Sequence, residues 1–336
     1  MNGKIQVEVV SSVVLKDNPL GDPRRREIPV YLPPSLAGGV AKRRYPVLYY
    51  LPGFTGGGLG AVNRKLWQEN IVERFDRLIA EKKAKEAILV VPDCVTAYGG
   101  SQYVNSPATG RYEDHIVAEL IPFIDDKFPT VRAREGRALI GKSSGGFGAL
   151  HLAMRNSQHV AHVASHSGDM LFELGYAPDF AKFVNNVDKI GEGSFEKWLS
   201  AFRASRDKDG FSHEAINTVA MASCYSPNPK SKWGFDLPCD LRTGEVLPRV
   251  FARWKAFDPV EACSFYKGSL KSLKTLFFDA GRRDEFFLHL GARKLSDRLK
   301  ALKVPHIHEE HDRGHFDMAH RYDRSLALLT SRLKSA

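Results

Sequence analysis

Gly141-Lys142-Ser143-Ser144-Gly145 satisfies two patterns of opposite meaning, and the choice between them decides the fold. Read as G-x-S-x-G, it is a nucleophile elbow, with Ser143 at the tip of a sharp strand-to-helix turn and its hydroxyl free to attack an ester or thioester carbonyl. Read from Gly136, the stretch Gly136-Arg-Ala-Leu-Ile-Gly141-Lys142-Ser143 satisfies G-x-x-x-x-G-K-[ST], a phosphate-binding loop. A phosphate loop needs its strand before the first glycine and small or polar residues between the glycines, so that backbone N–H groups can curl around the anion. Here the residues before Gly136 are polar, whereas Ala138-Leu139-Ile140 between the glycines reads as the end of a buried strand. The elbow fits that order. Gly145, Gly146, Gly148 and Ala149 then supply the small residues needed where strand and helix cross closely.

Working outward, apolar runs read as strands at Ile5–Leu15, Ile28–Leu32, Tyr45–Leu51, Ala87–Val91, Ala138–Ile140, His162–Ser165, Lys274–Phe278 and His306–His311. The first two predict an antiparallel start. The others alternate with helical patterns at Ile71–Lys83, Glu113–Phe128 and Leu290–Leu302, which predicts an α/β fold with a mostly parallel eight-stranded sheet and helices on both faces. The interval 170–272 is too long for one crossover. With helical patterns at Phe180–Val187, Phe195–Arg203 and His213–Met221, it reads as a cap inserted in a single domain spanning 1–336.

With 336 residues and 43% hydrophobic content, the chain can bury a full core. The amino terminus has no apolar leader pattern, and no run reaches membrane-spanning length, so the reading is a soluble protein without a membrane partner. Cys94, Cys224, Cys239 and Cys263 lack C-x-x-C spacing, which predicts buried free thiols and a cytoplasmic setting. The net charge of +10 is spread over short clusters, Arg24-Arg25-Arg26, Lys42-Arg43-Arg44 and Lys82-Lys83-Ala84-Lys85, read as solvated surface. No aromatic-interleaved basic module points to nucleic acid, and a homo-oligomer is compatible with this composition.

Acyl transfer by a serine needs a base, an acid to orient it, and N–H donors aimed at the developing oxyanion. His315 in Gly314-His315-Phe316 follows the last strand and is the expected base. Asp284, on the loop after the seventh strand, is the expected acid, with Asp279 and Glu285 as alternatives. The Gly-rich loop after the third strand, Leu51-Pro-Gly-Phe54-Thr-Gly-Gly-Gly58, places the Phe54 N–H beside that of Ser144 as an oxyanion hole. Tyr103 and Asn105 after the fourth strand, and Asp169 after the sixth, fall at the ligand-binding edge of the sheet as candidate substrate contacts.

These residues resemble the putative-esterase family of α/β-hydrolases, which includes esterase D or S-formylglutathione hydrolases, feruloyl esterases, enterochelin esterases and mycolyltransferases. The likeness runs through Arg26-Glu-Ile-Pro-Val-Tyr-Leu-Pro-Pro34, Tyr49-Tyr-Leu-Pro-Gly-Phe-Thr-Gly56, Gly110-Arg-Tyr-Glu-Asp114, Gly141–Gly146, the D-x-G-x-x-D of Asp279–Asp284 and Gly314-His315. It implies triad roles for Ser143, Asp284 and His315. Members commonly carry His and Met beside the nucleophile, where this chain has Lys142 and Ser144.

The expected activity is a cofactor-independent serine carboxylesterase acting on a small short-chain acyl ester through an acyl-enzyme. A thioesterase like the S-formylglutathione hydrolases is the alternative within the same chemistry. Outside it stand a phosphate-loop protein, a non-catalytic binding module of the same fold, and a metal-dependent hydrolase built on His306, His308 and His311. In a strand His306 and His308 share a face and His311 takes the other, so a polar strand end is preferred and no metal is assigned.

Overall fold

The computed structural model describes residues 1–39 and 43–335. All eight apolar runs enter one sheet, and its strands are β1 Lys4–Ser11, β2 Arg25–Leu32, β3 Val47–Leu51, β4 Ile88–Val90, β5 Arg137–Lys142, β6 His162–His166, β7 Thr275–Gly281 and β8 Ile307–His311. The spatial order is β1-β2-β4-β3-β5-β6-β7-β8. β1 pairs antiparallel with β2 and β2 antiparallel with β4; every other pairing is parallel.

Side-chain alternation divides the central strands between two cores. Tyr49, Leu51, Val90, Leu139, Val163, Leu276 and Phe278 pack on one face, under helices α2 (Ile121–Lys127), α3 (Ser144–Arg155) and α9 (Leu288–Ala301). Leu48, Leu89, Ala138, Ile140, Ala164 and Phe277 face the other way, against α1 (Ile71–Ala80) and α10 (Arg321–Arg332). A capping box between Asn70 and Glu73 starts α1, satisfying N–H groups that its first turn would otherwise leave orphaned.

Two boundaries differ from expectation for local reasons. β1 stops at Ser11 because the Ser12 hydroxyl and the Val13 and Val14 N–H groups are all taken by the Glu119 carboxylate, which turns the chain away from the sheet. The helix expected over 113–128 carries a π-helical segment, His115–Leu120, immediately before Pro122, which has no N–H to give to the ladder.

Between β6 and β7 the chain makes α4 (Asp179–Gly191), α5 (Phe195–Ala204), α6 (His213–Tyr225), α7 (Pro248–Lys255) and α8 (Pro259–Phe265). The first four build a core of their own around Phe180, Phe183, Trp198, Phe202, Tyr225 and Trp254, continuous with Phe147 of α3. Val260, Cys263 and Leu270 instead join the core beneath α3, so the cover ends near residue 257 and the rest of the interval belongs to the sheet's helical layer.

All four cysteines are free and buried. Among the described residues no helix is long and apolar enough to cross a membrane. The basic clusters are not uniformly solvated: Arg26 is buried, its guanidinium paired with Asp93 at 3.4 Å and donating to the Val95 carbonyl and the Tyr112 hydroxyl. Lys42 lies outside the described residues.

His162, at the start of β6, hydrogen-bonds Thr275 Oγ1 at 2.9 Å while its second ring nitrogen is buried without a partner among the described residues. Burial pushes its pKa down to about 4 from an ordinary 6.5. Between those values the unfolded chain binds the extra proton and the folded chain does not, so stability is intact above pH 6.5 and is lost as pH falls toward 4. Denaturant melts across that window are expected to show His162→Gln losing less stability on acidification than the wild type; parallel losses would refute the assignment.

Candidate active site

Ser143 sits between β5 and α3 with φ 56° and ψ −128°, a strained conformation for a residue with a side chain. Its N–H donates to the His166 carbonyl on β6 (2.9 Å), and its own carbonyl accepts from Phe147 N–H in the first turn of α3 (2.9 Å). The flanking glycines are required by contact. A Cβ on Gly145 would lie 1.9 Å from the Leu51 carbonyl oxygen, and one on Gly141 would lie 2.2 Å from that of Gly145. The strand-helix crossing therefore has no room for a side chain, which is the packing that an elbow demands and a phosphate loop does not.

His315 and Asp284 converge on the same edge. His315 Nδ1 is 2.9 Å from Asp284 Oδ2, and both residues are buried. Asp284 Oδ1 accepts from the Phe286 N–H at 3.0 Å. Burial works against its charge, but the bond to His315 and the neighbouring imidazole hold its pKa below the ordinary carboxylate value. With Nδ1 engaged, Nε2 is the nitrogen left to face a serine hydroxyl, and Ser143 and His315 line one cavity of about 210 Å³.

The two alternative acids have other partners. Asp279 binds His166 Nδ1 at 2.6 Å and Arg321 Nε at 2.7 Å; His166 in turn meets Ser325 Oγ at 2.7 Å, forming a buried network beneath the elbow. Glu285 accepts the backbone N–H of His315 at 2.6 Å and so fixes the histidine loop rather than the ring. Its role left no mark in the sequence beyond its neighbour Asp284.

Phe54 and Ser144 both line the cavity. Gly53 brings the loop against the elbow, since a Cβ there would touch the Lys142 carbonyl at 3.3 Å and Ser143 Cβ at 3.5 Å. Ser144 is the first residue of α3, where N–H groups lack intrahelical acceptors and the helix dipole favours negative charge.

The substrate-contact candidates divide. Asp169 lines the cavity, accepting from Tyr176 Oη (2.8 Å), Gln102 Nε2 (3.1 Å) and Ser144 Oγ (3.2 Å); burial raises its pKa against those bonds. Tyr103 does not reach the cavity: its ring packs over Gly148 and its hydroxyl donates to the Pro52 carbonyl at 2.5 Å, shoring up the loop that carries Phe54. Asn105 is exposed in a short ribbon and accepts from the Asp114 N–H at 3.2 Å. Both make contacts that order loops: Tyr103 with the Pro52 carbonyl and Asn105 with the Asp114 N–H. The cover instead contributes His213, Asn217 and Tyr176, which no sequence pattern had singled out.

His306 is engaged by Ser296 Oγ and the Val304 carbonyl, both at 2.9 Å, and stacks with His308 on Phe278. His311 lies edge-on to His320, away from them. Among the described residues no group of three His, Cys, Asp or Glu side chains is placed to hold a metal ion.

A mostly parallel sheet with its serine at a strand-to-helix elbow, and with histidine and acid on the last two strand-end loops, defines an α/β-hydrolase, and solved structures of that class superpose on the whole chain. One described as a ferulic acid esterase covers 98% of each chain at TM-score 0.63 and 22% identity; an S-formylglutathione hydrolase from Agrobacterium tumefaciens covers 99% of this chain and 96% of its own at TM-score 0.59 and 16% identity. The family model described as Putative esterase matches residues 22–322, and the chain belongs to that family. It is 35% identical over 200 residues to Esterase Rv1288 of Mycobacterium tuberculosis, a match covering 56% of this chain and 40% of that protein. A 29% match over 211 residues to an endo-1,4-beta-xylanase/feruloyl esterase of Xylanibacter ruminicola covers 57% of this chain and 26% of that protein. The chain thus spans less than half the length of these relatives.

Proposed function

We propose that the protein is a serine carboxylesterase that cleaves short-chain acyl esters of small molecules through an acyl-enzyme and needs no cofactor. The observation that carries this reading is the convergence of the strained Ser143 with the His315–Asp284 pair on one cavity. Ser143 Oγ attacks the carbonyl carbon as its proton passes to His315 Nε2; the carbonyl oxygen takes up negative charge against the Phe54 and Ser144 N–H groups; collapse expels the alcohol with the proton from His315. Water repeats the cycle on the acyl-enzyme and frees the acid. Asp284, ionised, holds the imidazole in the tautomer that makes Nε2 the base. Buried reduced cysteines favour a cytoplasmic setting for this chemistry.

A cavity of about 210 Å³ lies below the roughly 300 Å³ where ligand pockets usually begin, and the cover closes it with Phe172 and Tyr176. Among p-nitrophenyl esters, acyl groups of about two to four carbons are therefore expected to give the highest kcat/KM, because confinement outweighs the roughly 0.8 kcal/mol that each added methylene could gain by burial. An optimum at about eight carbons or longer would refute the size argument. The lining also favours a second reading. Phe54, Phe172, Tyr176 and Phe286 surround the cavity, and a flat aromatic acid, as in the feruloyl esters named for two of the relatives, would stack there. Including methyl ferulate in the same series separates the two.

A further inference from the structure

Lys142 immediately precedes the nucleophile, yet nothing in the acyl-transfer steps above uses it. Its side chain lines the cavity, with Nζ 5.5 Å from the centre of the Phe316 ring. Among the described residues it forms neither an ion pair nor a hydrogen bond, although Asp284 and Glu285 bear on its charge from a distance. Burial pushes its pKa down from the ordinary lysine value, so the ammonium gives up hydration without gaining a partner, and Lys65 adds further positive charge nearby. A half-buried cation resting on an aromatic face, with no direct ion pair among the described residues, is disposed to pair with an anion.

Its position says which part of a substrate would supply that anion. Phe316 follows His315 directly, its ring 5.4 Å from the imidazole, and it is 72% exposed at the rim. The imidazole must deliver its proton to the leaving oxygen, so the alcohol portion is the part of a substrate that would pass His315 and Phe316, with Phe172, Tyr176 and Asp169 of the same lining left for the acyl group.

Building on the esterase reading, we propose that Lys142 binds a carboxylate on the alcohol portion of the substrate, making this chain selective for esters of acidic alcohols and phenols. The chemistry is unchanged: the bond from the carbonyl carbon to the alcohol oxygen breaks, the bond to Ser143 Oγ forms, and the serine proton reaches the departing oxygen through His315. Lys142 adds ground-state and transition-state attraction for the leaving group's charge.

The test compares 4-acetoxybenzoate with 4-acetoxybenzamide, which share the acetyl group and ring and differ in charge. For wild type, kcat/KM is expected to favour the carboxylate about tenfold at low ionic strength, with the ratio falling toward one at roughly 0.5 M salt. Lys142→Met should bring the ratio to about one at low salt, and Lys142→Arg should retain most of it. A wild-type ratio at or below one, or a ratio that survives Lys142→Met, overturns the anion site and leaves the esterase reading intact. Hydrolysis of neither ester above the Ser143→Ala background sinks the esterase reading, and this proposal with it.

Discussion

Ser143→Ala is expected to lower ester turnover by at least about four orders of magnitude while leaving the fold and melting temperature close to wild type. The size follows from the serine and histidine acting as a unit: with no hydroxyl to attack, His315 has no proton to accept, and only the oxyanion donors and binding remain. Stability should hold because the elbow is kept by backbone bonds, Ser143 N–H to the His166 carbonyl and Phe147 N–H to the Ser143 carbonyl, which alanine preserves. In parallel, a fluorophosphonate should add once to wild type, at Ser143, and not at all to the variant, as intact mass would show. Undiminished turnover in the variant, or labelling at another residue, would remove Ser143 from the mechanism.

The second large effect separates two aspartates five residues apart. Asp284→Asn is expected to cost about three to four orders of magnitude in kcat with little change in KM, because an amide offers its N–H to Nδ1 and leaves the imidazole in the wrong tautomer. His315→Ala should be at least as damaging. Asp279→Asn should act on stability instead, since Asp279 is buried between His166 and Arg321 and an amide gives up its charged pairing with both, leaving Glu309 as the carboxylate on Arg321. Melting temperature and kcat measured on the same preparations decide it. Should Asp279→Asn abolish turnover in well-folded protein while Asp284→Asn remains active, the acid assignment is reversed.

The sequence read alone carried the eight strands, their mostly parallel arrangement and the three residues of the proposed triad, and the reason is physical. Central strands buried on both faces must be near-continuous apolar runs, and an elbow must place glycines where its helix crosses the neighbouring strand; Gly141 and Gly145 meet carbonyl oxygens at that crossing. Asp284 was preferred over Asp279 by its place on a loop and by the family resemblance, and it took the third dimension to show Asp279 facing His166 instead. Tyr103 and Asn105 do not line the Ser143 cavity, because strand order tells which loops reach an edge but not how a loop folds once there. The cover was legible as a long interval with three of its helices, at 180–187, 195–203 and 213–221, but not in how they pack. Which of its residues face the cavity, that Arg26 turns inward and that Lys142 lines the cavity with no ion pair among the described residues all depend on contacts between residues distant in sequence, and no local pattern of side chains specifies those contacts.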